Sequence, residues 1–129
     1  MARKRDKRRR EGQRDRKVSE MIWEFAGDFI RMAETPEQRQ SHLNAACSAW
    51  NIACNPTALE KVLDRYVCEY QQLNANANPA DLTGVRSDMK KLIQRKREMF
   101  PGDLRQIVGV QLVRVGDKDR IEAVSATLT

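Results

Sequence analysis

The chain has 129 residues, the size of one domain, with 40% hydrophobic and 5% aromatic residues and a net charge of +6. No apolar run approaches the ~18 residues of a membrane-spanning helix, and no short apolar segment follows the basic start as a secretory signal requires. Three cysteines, a small and odd number, argue against a disulfide-built secreted module and for a reducing compartment.

The charge is concentrated at the start. Residues 1–17 hold ten basic side chains (Arg3, Lys4, Arg5, Lys7, Arg8, Arg9, Arg10, Arg14, Arg16 and Lys17) against three acids, Asp6, Glu11 and Asp15. The surplus there is seven, and the other 112 residues carry 14 basic and 15 acidic groups, close to balance. From Ala2 to Lys17 nothing apolar exceeds alanine in size. Such an arm buries too little surface to offset its ordering entropy and is expected to be disordered when free. Asp6 with Arg10 and Glu11 with Arg14 sit at helical neighbour spacings, so the arm could extend the following helix on a polyanion. It is too acidic and too poor in serine for a mitochondrial presequence.

Four prolines, Pro36, Pro56, Pro79 and Pro101, punctuate the remainder. In the first segment Val18, Met21, Ile22, Phe25, Phe29 and Met32 share one helical stripe, which predicts a helix over about 18–34. Thr35-Pro36 pairs an N-cap with proline at the first helical position, and Gln38 has the capping-box spacing. The second helix, about 36–53, carries Leu43, Ala46, Cys47, Trp50 and Cys54 on one side and Ala45, Ala49 and Ile52 on the other. Being apolar on two sides, it is expected at the centre of the bundle. Asn55-Pro56 opens a third helix, about 56–74, striped by Leu59, Val62, Leu63, Tyr66, Val67, Tyr70 and Leu73. The polar run Asn74–Asn78 reads as a connector, and Asp81 as the cap of a fourth helix over about 82–100, striped by Leu82, Val85, Met89, Leu92, Ile93, Met99 and Phe100.

After Phe100 the period changes. Pro101-Gly102-Asp103 is a turn, residues 104–115 alternate and are rich in β-branched side chains, Gly116–Asp119 make a second turn, and Arg120–Leu128 return. The fold class expected is therefore α+β. A small four-helix N-terminal bundle is followed by a C-terminal β-hairpin over about 104–128, preceded by a basic arm (1–17) that is disordered or extends the first helix. Residues 18–129 form a single globular domain. A lone hairpin is marginal in water, so it must lie on the helices or add strands to a partner.

The arm carries the strongest functional signal. A flexible Arg-rich segment gathers cations for phosphates and gains affinity by releasing condensed counterions. It has no aromatic residue for base stacking, so recognition would be directed at the backbone. The competing reading is a solvated or targeting tail: Lys4–Arg10 would serve as a nuclear import signal in a eukaryote, although a cytoplasmic location is the default expectation. Arg86, Lys90 and Arg97 fall within roughly 40° of one another on the fourth helix and offer a second basic edge, against the alternative of an ordinary solvated face. Lys96 falls inside the apolar stripe, where a lysine near a helix end is expected to snorkel outward unless it faces a ligand.

No metal or cofactor is expected. Cys47 and Cys54 are ~10.5 Å apart along one helix, too far for a disulfide or a shared tetrahedral ion, and they read as structural thiols on either side of Trp50. Cys68 lies opposite the apolar stripe of the third helix, either on a second packing surface or as an exposed, reactive thiol. The single histidine, His42, has no nucleophile in a GxSxG context, and no Gly-rich phosphate loop is present. Trp23 and Ile30 sit about 120–140° from the main stripe of the first helix and form a candidate partner interface. The function expected is a non-catalytic accessory protein that binds the RNA or DNA phosphate backbone through the arm. The alternative is a protein–protein adaptor or assembly factor that meets a partner, or a second copy, through the hairpin edge and the Trp23/Ile30 patch.

Overall fold

A computed structural model describes residues 17–55 and 59–127. Four helices, α1 (Val18–Arg31), α2 (Pro36–Ala53), α3 (Leu59–Leu73) and α4 (Pro79–Met99), precede two strands, β1 (Arg105–Val115) and β2 (Lys118–Thr127). The architecture is α+β, a helical bundle closed by a C-terminal antiparallel hairpin.

Local chemistry sets most boundaries. Gln38 N–H donates to Thr35 Oγ1 while Gln38 Oε1 accepts from Thr35 N–H, the reciprocal capping box that satisfies two otherwise orphaned donors at the start of α2. α1 stops at Arg31, three residues short of the expected end. Thr35 must be extended (φ −110°, ψ 156°) to cap α2, so the chain leaves the helical region before it.

The start of α4 departs further from expectation. Asn78, not Asp81, is the N-cap: its side chain accepts from Asp81 N–H, Asp81 accepts from Asn78 N–H, and Pro79 occupies the first turn. The helix thus begins three residues earlier, with Asp81 as the third residue of a second capping box. The cap expected at Asn55-Pro56 falls partly on residues 56–58, outside the described residues.

α2 is the centre, packing on α1, α4 and β1. Its Trp50 is fully buried, tilted against Phe25 of α1 and Phe100 at the end of α4. α3 buries only Leu63 and packs chiefly on α4.

The hairpin lies on α1 and α2 and presses Ile107 and Ile121 into the core. Its loop is two residues, tighter than expected. Gly116 takes φ +65°, the left-handed conformation that lets a two-residue loop follow the strand twist, and pairing begins at Val115↔Lys118. A bulge between Ile107 and Gly109 shifts the register and leaves Val108 exposed.

α2 also covers the outer edge of β1. Asn51 Nδ2 donates to Ile107 O at 2.9 Å while its Oδ1 accepts from Ile107 N–H at 2.7 Å. Gln40 Oε1 accepts from Leu112 N–H and Trp50 Nε1 donates to Arg105 O. These side chains stand in for the strand that the sheet lacks on that side.

Candidate functional site

The arm that carries the expected phosphate contacts lies outside the described residues except for Lys17, which is exposed and forms the N-cap position of α1. The side chains expected to assist it on α4 are engaged by α3. Arg86 bonds Asp64 at 2.5 Å and also pairs with Glu60, and Lys90 Nζ lies 3.4 Å from the other Glu60 oxygen. Hydrogen bonds from Arg86 and then Lys90 hold the Glu60 carboxyl below its usual range, and the bonds to Asp64 and Glu60 push the Arg86 guanidinium up. The pairing follows from α3 and α4 lying side by side, since Glu60 and Asp64 are one helical turn apart. Arg86 and Lys90 therefore meet carboxylates before they can meet a phosphate. Arg97, the third member of that edge, is half-buried.

Several other described cations are paired as well. Arg31 pairs with Asp28, Arg39 with Asp119 at 3.2 Å, and Arg105 with Asp103 at 2.6 Å. Arg95 donates to Phe25 O and Glu24 O and so ties α4 to α1.

The Trp23/Ile30 patch does not form. Ile30 is fully buried in the core and unavailable to a partner, because helices and hairpin enclose α1 on more than one side. Trp23 is half-buried, and the Arg31 guanidinium lies 5.2 Å from its ring centre.

Lys96 is the largest departure from expectation. It does not snorkel: the residue is 1% exposed. Its ammonium donates to Phe100 O at 2.7 Å and Asp103 O at 2.5 Å and lies over the Trp50 ring. The turn that leads into β1 folds back over the end of α4, so its carbonyls converge where solvent would otherwise be. Asp103 supports the turn by taking its own backbone and side-chain bonds from Arg105. Burial alone would raise the Asp103 carboxyl, but the Arg105 hydrogen bonds and the charges of Arg105 and Lys96 outweigh it and leave the group below the usual carboxylate range. A stripe position occupied by lysine, three residues before the last residue of α4, is the one sequence signal for this arrangement.

Cys54 shares the same turn, its thiol reaching Asp103 O at 3.5 Å. Burial raises it, partly offset by Lys96. Cys47 is buried and pushed up to about 12 by desolvation, and Cys68 is exposed. His42 stacks on Phe29 and bonds its carbonyl through Nδ1 at 2.7 Å, a bridge between α2 and α1. Among the described residues no group of three or more His, Cys, Asp or Glu could hold a metal ion, and no helix is long and apolar enough to cross a membrane. No protein family, curated protein or solved structure matches the chain.

Proposed function

We propose that the protein is a non-catalytic accessory factor that holds RNA or DNA by its phosphate backbone through the arm of residues 1–17. One observation supports this above the rest: five cations of the folded body face its own carboxylates, while the arm's sequence carries a surplus of seven positive charges. Arg86, Lys90, Arg31, Arg39 and Arg105 all face carboxylates of the body, whereas the arm carries ten basic residues against three acids. Unmatched cations are what a polyanion recruits, because each phosphate they neutralise releases condensed counterions. With no aromatic side chain in the arm, affinity comes without base readout. The body supplies the support, and Arg86 and Lys90 of α4 contribute less than the sequence suggests because Glu60 and Asp64 of α3 already hold them.

The test is fluorescence anisotropy with labelled RNA and DNA oligonucleotides of several sequences at low salt. Replacing Arg8, Arg9 and Arg10 together by glutamine is expected to weaken binding at least roughly tenfold, and to a similar degree on every sequence. Unchanged affinity in that variant overturns the reading.

A further inference from the structure

The two edges of the hairpin differ. The edge of β1 is occupied by Asn51, Gln40 and Trp50 of α2, but no other strand lies beside β2 among the described residues. The register shows which β2 groups are left facing out. Leu112 N–H points away from β2, to Gln40, so Leu112↔Ile121 is a non-hydrogen-bonded pair and the N–H and C=O of Ile121 also point away from β1. By alternation the same holds for Asp119 and Ala123. On the far side of the bulge Ser125 opposes Ile107, both of whose backbone groups are taken by Asn51. β2 thus presents a regular row of donors and acceptors, the template that a further strand completes.

We propose that this edge pairs with β2 of a second copy of the chain, antiparallel about a two-fold axis at Ile121, to give a continuous four-stranded sheet. The charges on the exposed face select that occupant and that register. Lys118, Arg120, Glu122 and Val124 are exposed on one face of β2. With the axis at Ile121, Arg120 stands opposite Glu122 of the second copy, and Glu122 opposite its Arg120. Both are closely spaced non-hydrogen-bonded pairs, where cross-strand side chains interact most. Val124, 62% exposed in the single chain, then stands opposite the aliphatic stem of Lys118. Neighbouring registers match less well: an axis at Asp119 sets Lys118 against Arg120, and one at Arg120 gains Lys118 opposite Glu122 but sets Arg120 face to face with its own copy. An axis at Glu122 sets Glu122 face to face with its own copy, and one at Ala123 leaves Glu122 opposite valine. An isologous contact needs a self-complementary patch, and the Arg120/Glu122 pair supplies it.

Sedimentation equilibrium of the full-length chain, from about 1 to about 100 µM, tests this directly because a weak dimer reveals itself by mass action. The wild type is expected to form a dimer. Glu122→Arg and Arg120→Glu, each of which turns two attractive pairs into repulsive ones, are expected to raise the dimer Kd at least roughly tenfold. The double variant R120E/E122R, which restores opposite charges across the axis, is expected to recover the wild-type Kd. Both side chains are exposed, and circular dichroism of the single variants checks that the fold persists. A chain that stays monomeric over the whole range, with or without affinity for some other protein, overturns the proposal, as does a dimer indifferent to Glu122→Arg or a double variant that stays monomeric.

Discussion

Lys96 Nζ lies 4.8 Å from the centre of the Trp50 ring, so the ammonium buried in this fold is held between an aromatic face and two backbone carbonyls, with no carboxylate among its hydrogen-bond partners. The carbonyls of Phe100 and Asp103 belong to the turn that ends α4 and launches β1. The indole of Trp50 in turn donates to Arg105 O, two residues further along the chain. One lysine and one tryptophan therefore fix the angle at which the hairpin leaves the bundle.

Lys96→Met keeps most of the aliphatic stem and removes the donor. Two carbonyls lose a charged partner in a buried setting, and hydrogen bonds to charged groups contribute about 1.5–3 kcal/mol each. The expected destabilisation is about 2–4 kcal/mol by urea unfolding followed by circular dichroism. A loss under about 1 kcal/mol contradicts the role assigned to Lys96.

The Asp103 carboxyl sits below its ordinary range in the fold, which fixes the sign of an acid dependence. Its contribution is complete above the unfolded carboxyl value of about 4 and is lost as pH falls through the lower folded value. Melting temperature measured from pH 6 down to 2 should therefore drop on the acid side. Asp103→Asn, neutral throughout, should flatten part of that drop while lowering stability at pH 6. An identical acid profile in the variant would contradict the assignment.

Asn51→Asp tests the covering of the β1 edge. A carboxylate still accepts from Ile107 N–H but cannot donate to Ile107 O, so one bond is replaced by a repulsive oxygen contact. A loss of about 1–3 kcal/mol is expected, together with at least roughly tenfold faster amide exchange along β1. Unchanged protection at Leu112 and Ile107 would show that the edge is held by other means.

Native thiol labelling should separate the three cysteines. Cys68 is exposed and should react first. Cys54 is half-buried beneath the Asp103 turn and should follow slowly. Cys47, buried and raised to about 12, should react only on unfolding, because the thiolate is the attacking species. One fast equivalent, lost in Cys68→Ser, is the expected count from a colorimetric thiol reagent. Two fast equivalents would mean that the α4–β1 turn opens readily.

The four helices and the hairpin are legible in the sequence because each leaves a local trace. The stripes of α1 to α4 repeat at helical spacing, Thr35-Pro36 announces α2 together with Gln38, and the residues after Phe100 alternate. What sequence reading misses depends on partners far along the chain. Asn51 and Gln40 look like ordinary polar helix residues, and their partners are Ile107 and Leu112 in a strand two helices later. Glu60 and Asp64 neutralise Arg86 only once α3 and α4 lie together. Ile30 falls off the main stripe of α1 yet is buried, since that helix packs on more than one neighbour. The Asn78 cap, by contrast, was available locally: Asn-Pro-Ala-Asp has the box spacing, hidden inside a polar run that reads as a connector.

The salt dependence of binding to a duplex DNA probe decides whether phosphate binding resides in the arm or in the body. For about five engaged phosphates the full-length chain should give a slope of log K against log salt near −4 to −5. The variant R8Q/R9Q/R10Q should flatten that slope by about 2.7, at ~0.9 per phosphate contact. R86Q/K90Q, which removes cations already held by Glu60 and Asp64, should leave the slope within about half a unit of the wild type. A slope that survives neutralisation of the arm, or that collapses in R86Q/K90Q, contradicts the account.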